Sequence, residues 1–174
     1  MILTGNQINK EWVNNKIVIK PFNKDNITTN SYDLTLGDTL IKYTDSVIDP
    51  KLESNITNIT IPEEGYLLKK GEFVLGSSAE VIGSNFYVPL IHAKSGIARL
   101  GLFVHVTADL FDIGAITCTT FQMYASQPIK LYKGMKLAQV TYWKTMGDIK
   151  LYNGKYQSLE GPIQSKISAD FIKG

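Results

Sequence analysis

The sequence predicts an all-β subunit, a distorted β-barrel or jelly roll opened by one short helix. Short apolar and β-branched runs bounded by Gly, Ser, Asn or Lys-Lys-Gly recur from Gly65 to Trp143, the spacing of a closed antiparallel architecture. Helical periodicity is confined to the first dozen residues, and no repeat or linker divides the 174 residues, so 1–174 reads as a single domain.

In order, Thr4 with Gln7 three residues on forms a capping box, and Ile8, Trp12 and Val13 then share one helical face. Ile17-Val18-Ile19 follows as a strand-like run closed by Pro21. Tyr32, Leu34 and Leu36 alternate with Asp33 and Thr35, a half-buried strand ending in the Gly37-Asp38 turn, with Asp33 as a hydrogen-bonding strand residue. Residues 45–62 are polar and Asn-rich, a long connection holding a short strand at Ile56–Ile61. Strands are then expected at Tyr66–Leu68, Phe73–Gly76, Ala79–Val81, Phe86–Val88, Leu102–Val106, Thr117–Tyr124, Ile129–Leu131 and Leu137–Trp143. The segment 150–174 mixes aromatics, lysine and Gly161-Pro162, which suits a flap over a ligand or a frayed end.

At 44% hydrophobic and 20% charged, with a net charge of +2, the composition is that of a soluble domain and gives no basis for nucleic acid or membrane as partner. Cys118 is the single cysteine, so an internal disulfide is impossible and a cytoplasmic, reducing home is expected. With His92 and His105 the only histidines, a zinc centre of His and Cys ligands is not expected. His105 reads as a packing or hydrogen-bonding strand residue, and Cys118 as a small core residue.

The stretch Lys94–Leu102 stands apart for its small residues and close-set polar groups. Arg99 is the one arginine among eighteen basic residues. An isolated arginine fits a site that needs a planar, bidentate, permanently charged fork, the alternative being an ordinary solvated charge. Lys94-Ser95-Gly96 reads as the entry of a short helical turn capped by Ser95 and ended by Gly101, with Gly96 allowing close approach of an anionic group.

Five motifs in order carry a resemblance: Ser31-Tyr32-Asp33-Leu34-x-Leu36-Gly37, Lys94-Ser95-Gly96-Ile97-Ala98-Arg99-Leu100-Gly101-Leu102, His105-Val106-Thr107-Ala108 with Asp112, Gly134-Met135-Lys136-Leu137-Ala138-Gln139, and Lys155-Tyr156-Gln157 with Gly161-Pro162. Together they resemble dCTP deaminase, the deaminase branch of the trimeric dUTPase superfamily, across nearly the whole chain. The resemblance implies a dUTPase-like β-clip assembled as a homotrimer, with active sites where subunits meet and magnesium carried on the nucleotide triphosphate rather than bound by protein. It implies that Lys94, Ser95, Gly96, Ile97, Ala98 and Arg99 bind the triphosphate and reacting base, partly from the neighbouring subunit. Ser95 and Arg99 would support the attacking water and the tetrahedral intermediate. Asp112 would hold the deoxyribose 3′-hydroxyl, Tyr152 and Lys155 would close on the phosphates, and Thr120, Phe121 and Gln122 would face the nucleotide.

The departures cluster on the base and sugar side. Gln122 stands where the deaminases carry the glutamate that moves a proton between water and base. An amide does neither near neutral pH, although it keeps the shape and hydrogen-bonding capacity. Ile113, Ala115, Thr117 and Leu159 replace the proline, aromatic, glycine and glutamine usual in the family, and Gly96 stands where many deaminases have serine. Three functions follow as expectations. The first is deamination of dCTP to dUTP and ammonia, with Gln122 as a substituted catalytic position. The second is hydrolysis of dUTP to dUMP and diphosphate using Asp112, and the third is deoxynucleotide binding without turnover.

Overall fold

The computed structural model describes residues 1–105, 107–157 and 160–172. Along these residues the elements are α1 (Gly5–Val13), β1 (Val18–Lys20), a 3-10 turn at Lys24–Asn26, β2 (Tyr32–Thr35), β3 (Thr39–Tyr43), β4 (Ile56–Thr60), β5 (Tyr66–Leu68), β6 (Phe73–Gly83), β7 (Val88–Ala93), α2 (Ser95–Ala98), β8 (Leu102–Val104), β9 (Ile116–Ala125), β10 (Ile129–Leu131), β11 (Lys136–Trp143) and α3 (Ser168–Ile172). The order β4-β3-β6-β9-β8, with β1 also on β6, makes the main sheet, and β2-β11-β7 and β5-β10 make two smaller ones. All pairings are antiparallel. The all-β class read from the sequence is the one observed.

The helix begins where the capping box places it: the Thr4 side chain accepts from the Gln7 backbone N–H at 3.4 Å. Ile8 is fully buried and Trp12 stacks on Phe22 at 3.8 Å. Val13, expected on the same face, is 63% exposed at the last turn. β2 also departs from expectation. Asp33 is buried along with Tyr32 and Leu34, because its carboxylate is met by Lys94 Nζ at 2.5 Å. A buried carboxylate is tolerable when paired in this way.

The two runs expected at Phe73–Gly76 and Ala79–Val81 are one strand, β6, with a bulge. Its pairing with β9 breaks between Ser77 and Val81. Side chains secure the break: Ser78 Oγ donates to the Glu80 carbonyl at 2.6 Å and accepts from the Thr119 N–H at 3.0 Å. Glu80 accepts from the backbone N–H and the hydroxyl of Thr35, at 3.0 and 2.8 Å, so the bulge ties the end of β2 to the main sheet. The core lies between the sheets and is filled by Leu34, Leu40, Leu68, Phe121, Met123 and Tyr142, all fully buried.

Glu80 is 3% exposed, and burial pushes its carboxyl above the ordinary range, against the two Thr35 hydrogen bonds. A raised folded value favours the protonated form. Its contribution to stability is therefore fully present below the unfolded value and is lost as pH rises through the folded one. Glu80→Gln keeps an acceptor for the Thr35 N–H and a donor for its hydroxyl, and removes the buried charge. The urea midpoint of this variant is expected to exceed that of the parent by more at about pH 8 than at about pH 5.

Candidate functional site

β9 builds the floor of a large cavity. Strand alternation sends Thr117, Thr119, Phe121, Met123 and Ala125 inward and leaves Cys118, Thr120 and Gln122 half-buried on the other face. Over that face lies a cavity of about 470 Å³, within the usual range of roughly 300–1,000 Å³ for small-molecule sites. Phe73 and Leu75 of β6 and Tyr43 of β3 form one side, His105, Ala108 and Phe111 another, and Tyr156 with Ile163, Gln164 and Ser165 of the C-terminal segment the rest.

Gln122 donates its Nε2 to the Thr120 carbonyl at 3.2 Å. Its Oε1 is buried and has no partner among the described residues. His105 follows β8 in the left-handed region, at φ 58°, a strained conformation for a non-glycine residue. Its ring meets the edge of Phe121, its backbone N–H donates to the Gln122 carbonyl at 3.2 Å, and its Nδ1 is buried without a partner. Burial pushes the imidazole below its ordinary value, opposed by a hydrogen bond to the Ala108 backbone and by Asp109. The ring is therefore neutral at neutral pH. Cys118 reaches the same cavity rather than the core alone, and burial raises its thiol, which leaves it protonated and unreactive.

A second groove, of about 330 Å³, is lined by Asp112, Ile113 and 150–154. Here the sequence-predicted pair Asp112 and Tyr152 does come together. The Tyr152 N–H donates to the Ile113 carbonyl at 2.8 Å, and Gln157 binds in both directions, Nε2 to the Gly114 carbonyl at 2.9 Å and Oε1 from the Ile116 N–H at 3.1 Å. Gly114 sits at φ 93°, and a Cβ there would stand 2.8 Å from Leu151 Cβ and from the Tyr152 nitrogen. The close approach of the flap thus requires glycine. Gln157→Ala is expected to raise KM several-fold with a smaller change in kcat, since it loosens the flap and touches no reacting group. Steady-state kinetics checks this, and an unchanged KM would remove the role.

The remaining predicted residues lie elsewhere. Lys94 caps α2 without a side-chain cap bond, and Ser95, expected as the cap, is the first helical residue. Ser95, Gly96, Ala98 and Arg99 are exposed and Ile97 packs on the core edge. None of Lys94–Arg99 lines the cavity, and a Cβ on Gly96 would meet nothing within 4 Å. Gly101 ends the turn at φ 77° as expected. Lys155 turns to Asp170 Oδ2 at 2.7 Å and to the Lys166 carbonyl at 3.0 Å, away from the Asp112 groove. Phe121 points its side chain into the core. Val106, Ser158 and Leu159 lie outside the described residues. Among the described residues no group of three or more His, Cys, Asp or Glu side chains is placed to hold a metal ion, and no helix is long and apolar enough to cross a membrane.

The sequence analysis passed over Tyr43, Ile163 and Gln164. Ile163 donates its N–H to Thr120 Oγ1 at 3.1 Å, Ser165 donates its N–H to the Tyr43 hydroxyl at 3.0 Å, and Gln164 donates its Nε2 to Glu53 Oε1 at 3.1 Å. These contacts join positions 43 to 122 residues apart, and no local pattern announces them.

A family model described as dCTP deaminase-like matches residues 2–145. The chain belongs to the dCTP deaminase-like family. A dCTP deaminase-like relative from Clostridium botulinum (strain Eklund 17B / Type B), named "dCTP deaminase, dUMP-forming", is 41% identical over 174 residues, covering 99% of this chain and 100% of its own. Proteins of the same name from Clostridium acetobutylicum, 39% identical with 99% of both chains covered, and Cytophaga hutchinsonii, 38% identical with 99% and 100% covered, match as well. Their names give dUMP as product, where the sequence analysis expected dUTP. The crystal structure of 2′-deoxycytidine 5′-triphosphate deaminase from Agrobacterium tumefaciens superposes with a TM-score of 0.65 at 17% identity, over 81% of this chain and 47% of that longer chain. This likeness bears on the dCTP deaminase-like fold alone.

Proposed function

We propose that the chain is a pyrimidine deoxynucleotide hydrolase of the dUMP-forming kind. The base enters the cavity between His105 and Gln122, and sugar and phosphates follow the Asp112–Tyr152 groove. The observation that carries this is the buried, unpartnered Gln122 Oε1 in the wall of a cavity of about 470 Å³. An orphaned polar atom beside a cavity is a place for a ligand donor. The net reaction is dCTP and two waters to dUMP, ammonia and diphosphate.

In the first step water adds to C4 of the base and ammonia leaves. Ser95 and Arg99 polarise this water from a neighbouring subunit of a homotrimer, a reading supported by the exposure of both residues and by the absence of a side-chain hydrogen bond from either among the described residues. Gln122 holds the base or the water but carries no proton, so this step is slow. In the second step water attacks the α-phosphorus, diphosphate leaves and Asp112 orients the water. Lys94 and Lys155 draw on the same phosphates once released from Asp33 and Asp170. Magnesium, bound through the triphosphate, supplies charge neutralisation there.

Product analysis with magnesium and either dCTP or dUTP tests the reading. The expected result is dUMP and diphosphate from dUTP, and slower release of ammonia with dUMP from dCTP. Tight binding of both nucleotides without any product would favour a deoxynucleotide-binding protein, which Gln122 also suits. Absence of both binding and turnover would overturn the assignment.

A further inference from the structure

Three of the buried side-chain polar atoms that lack a partner among the described residues belong to the lining of one cavity: His105 Nδ1, Gln122 Oε1 and Gln164 Oε1. The two amides are informative because their orientation is not free. Gln122 Nε2 donates to the Thr120 carbonyl, and Gln164 Nε2 donates to the Glu53 carboxylate. A carbonyl and a carboxylate only accept, so turning either amide over would set oxygen against oxygen. Both side chains are thereby held with their oxygens spare. One comes from the floor strand β9 and the other from the C-terminal segment that lines the same cavity.

We infer that Gln164, held by Glu53, is a specificity-determining residue that makes the closed pocket select a base carrying an exocyclic amine over its 4-oxo counterpart. The inference rests on the base occupying this cavity, as proposed above. A 4-amino group brings two N–H donors, one for each amide oxygen. A uracil-type base brings a single ring N–H and sets its O4, an acceptor, against the second oxygen. A buried acceptor left facing an acceptor is costly, so the 4-oxo base is expected to bind roughly 10- to 100-fold more weakly. In this account Gln122 serves as a fixed acceptor and not as a proton carrier.

Equilibrium binding of dCTP and dUTP to the full-length protein tests the inference, with products assayed in the same samples so that affinities are read before turnover. The parent is expected to prefer dCTP by at least about 10-fold. Gln164→Met keeps the side-chain length and removes the acceptor, and is expected to weaken dCTP about 10-fold while tightening dUTP, since the oxygen that opposed O4 is gone. Glu53→Leu frees the Gln164 amide to turn and donate to O4, and is expected to bring the two affinities together chiefly by tightening dUTP. A purely structural role for the segment would weaken both nucleotides alike. Equal affinities in the parent, or parallel losses in both variants, would overturn the inference and leave the base-binding role of the cavity intact. Binding of neither nucleotide to the parent would remove both readings together.

Discussion

Gln122→Glu is expected to raise ammonia release from dCTP by roughly 10²- to 10⁴-fold, the usual worth of a positioned general acid–base group. The argument is local. Gln122 is half-buried on β9, one oxygen already lies in the cavity wall without a partner, and the exchange of amide for carboxyl changes neither length nor shape. The site is enclosed by Phe73, Leu75 and Phe111, so burial would lift a carboxyl there toward neutrality, as it does for Glu80. A carboxyl raised in that way can both take a proton from water and return it to the base. Hydrolysis of dUTP to dUMP, proposed above to use the Asp112 groove, should change no more than a few-fold. Ammonia release measured under saturating dCTP decides the matter, and an unchanged rate would show that the surrounding substitutions, Ala115 and Thr117 among them, have remodelled the site beyond deamination.

Arg99→Ala is expected to lower deamination by about 10²- to 10³-fold, the loss typical of a missing electrostatic stabiliser. Stability should move by no more than about 0.5 kcal/mol, because the Arg99 side chain is exposed and, unlike its backbone N–H, makes no hydrogen bond to a described residue. A site shared between subunits adds a sharper expectation. Co-expression of Arg99→Ala with Asp112→Asn should give more dUMP from dCTP than the two variants mixed after separate purification, since about a quarter of the interfaces in randomly mixed trimers would draw both intact halves. No gain on co-expression would place the two residues in one chain's site or in none.

The sequence made most of the frame legible and part of the site. Ten of the expected runs fall in nine strands because their alternating or continuous apolar patterns match burial in sheets, while the run expected at Phe86–Val88 is a bend that meets β7 only at Val88. β3 went unread: Leu40 and Ile41 are both buried, so Thr39–Tyr43 shows no alternation to mark it as a strand. β6 was read as two pieces because Gly76, Ser77 and Ser78 look like punctuation, whereas in the folded chain Gly76 and Ser77 pair with Phe121 and Thr120 and the bulge follows, with Ser78 bonded to Thr119 and to the Glu80 carbonyl. At the site, Gln122 and the Asp112–Tyr152 pair were legible from motif order. The strained backbone of His105 was not, because the carbonyl and ring contacts that hold it come from β9. The closing wall was illegible for a similar reason. Ile163, Gln164 and Ser165 are ordinary residues whose partners lie far back in the sequence.

That wall also sets a timescale. Ile163 and Ser165 hold it by their backbone N–H groups to the Thr120 and Tyr43 hydroxyls and Gln164 holds it to Glu53, each bond worth only about 1–3 kcal/mol net. Segments held so lightly open by local excursions long before the barrel unfolds. The residence time of whatever occupies the cavity is therefore governed by how often the wall at Ile163, Gln164 and Ser165 lets go, and stabilising the core would leave that clock unchanged.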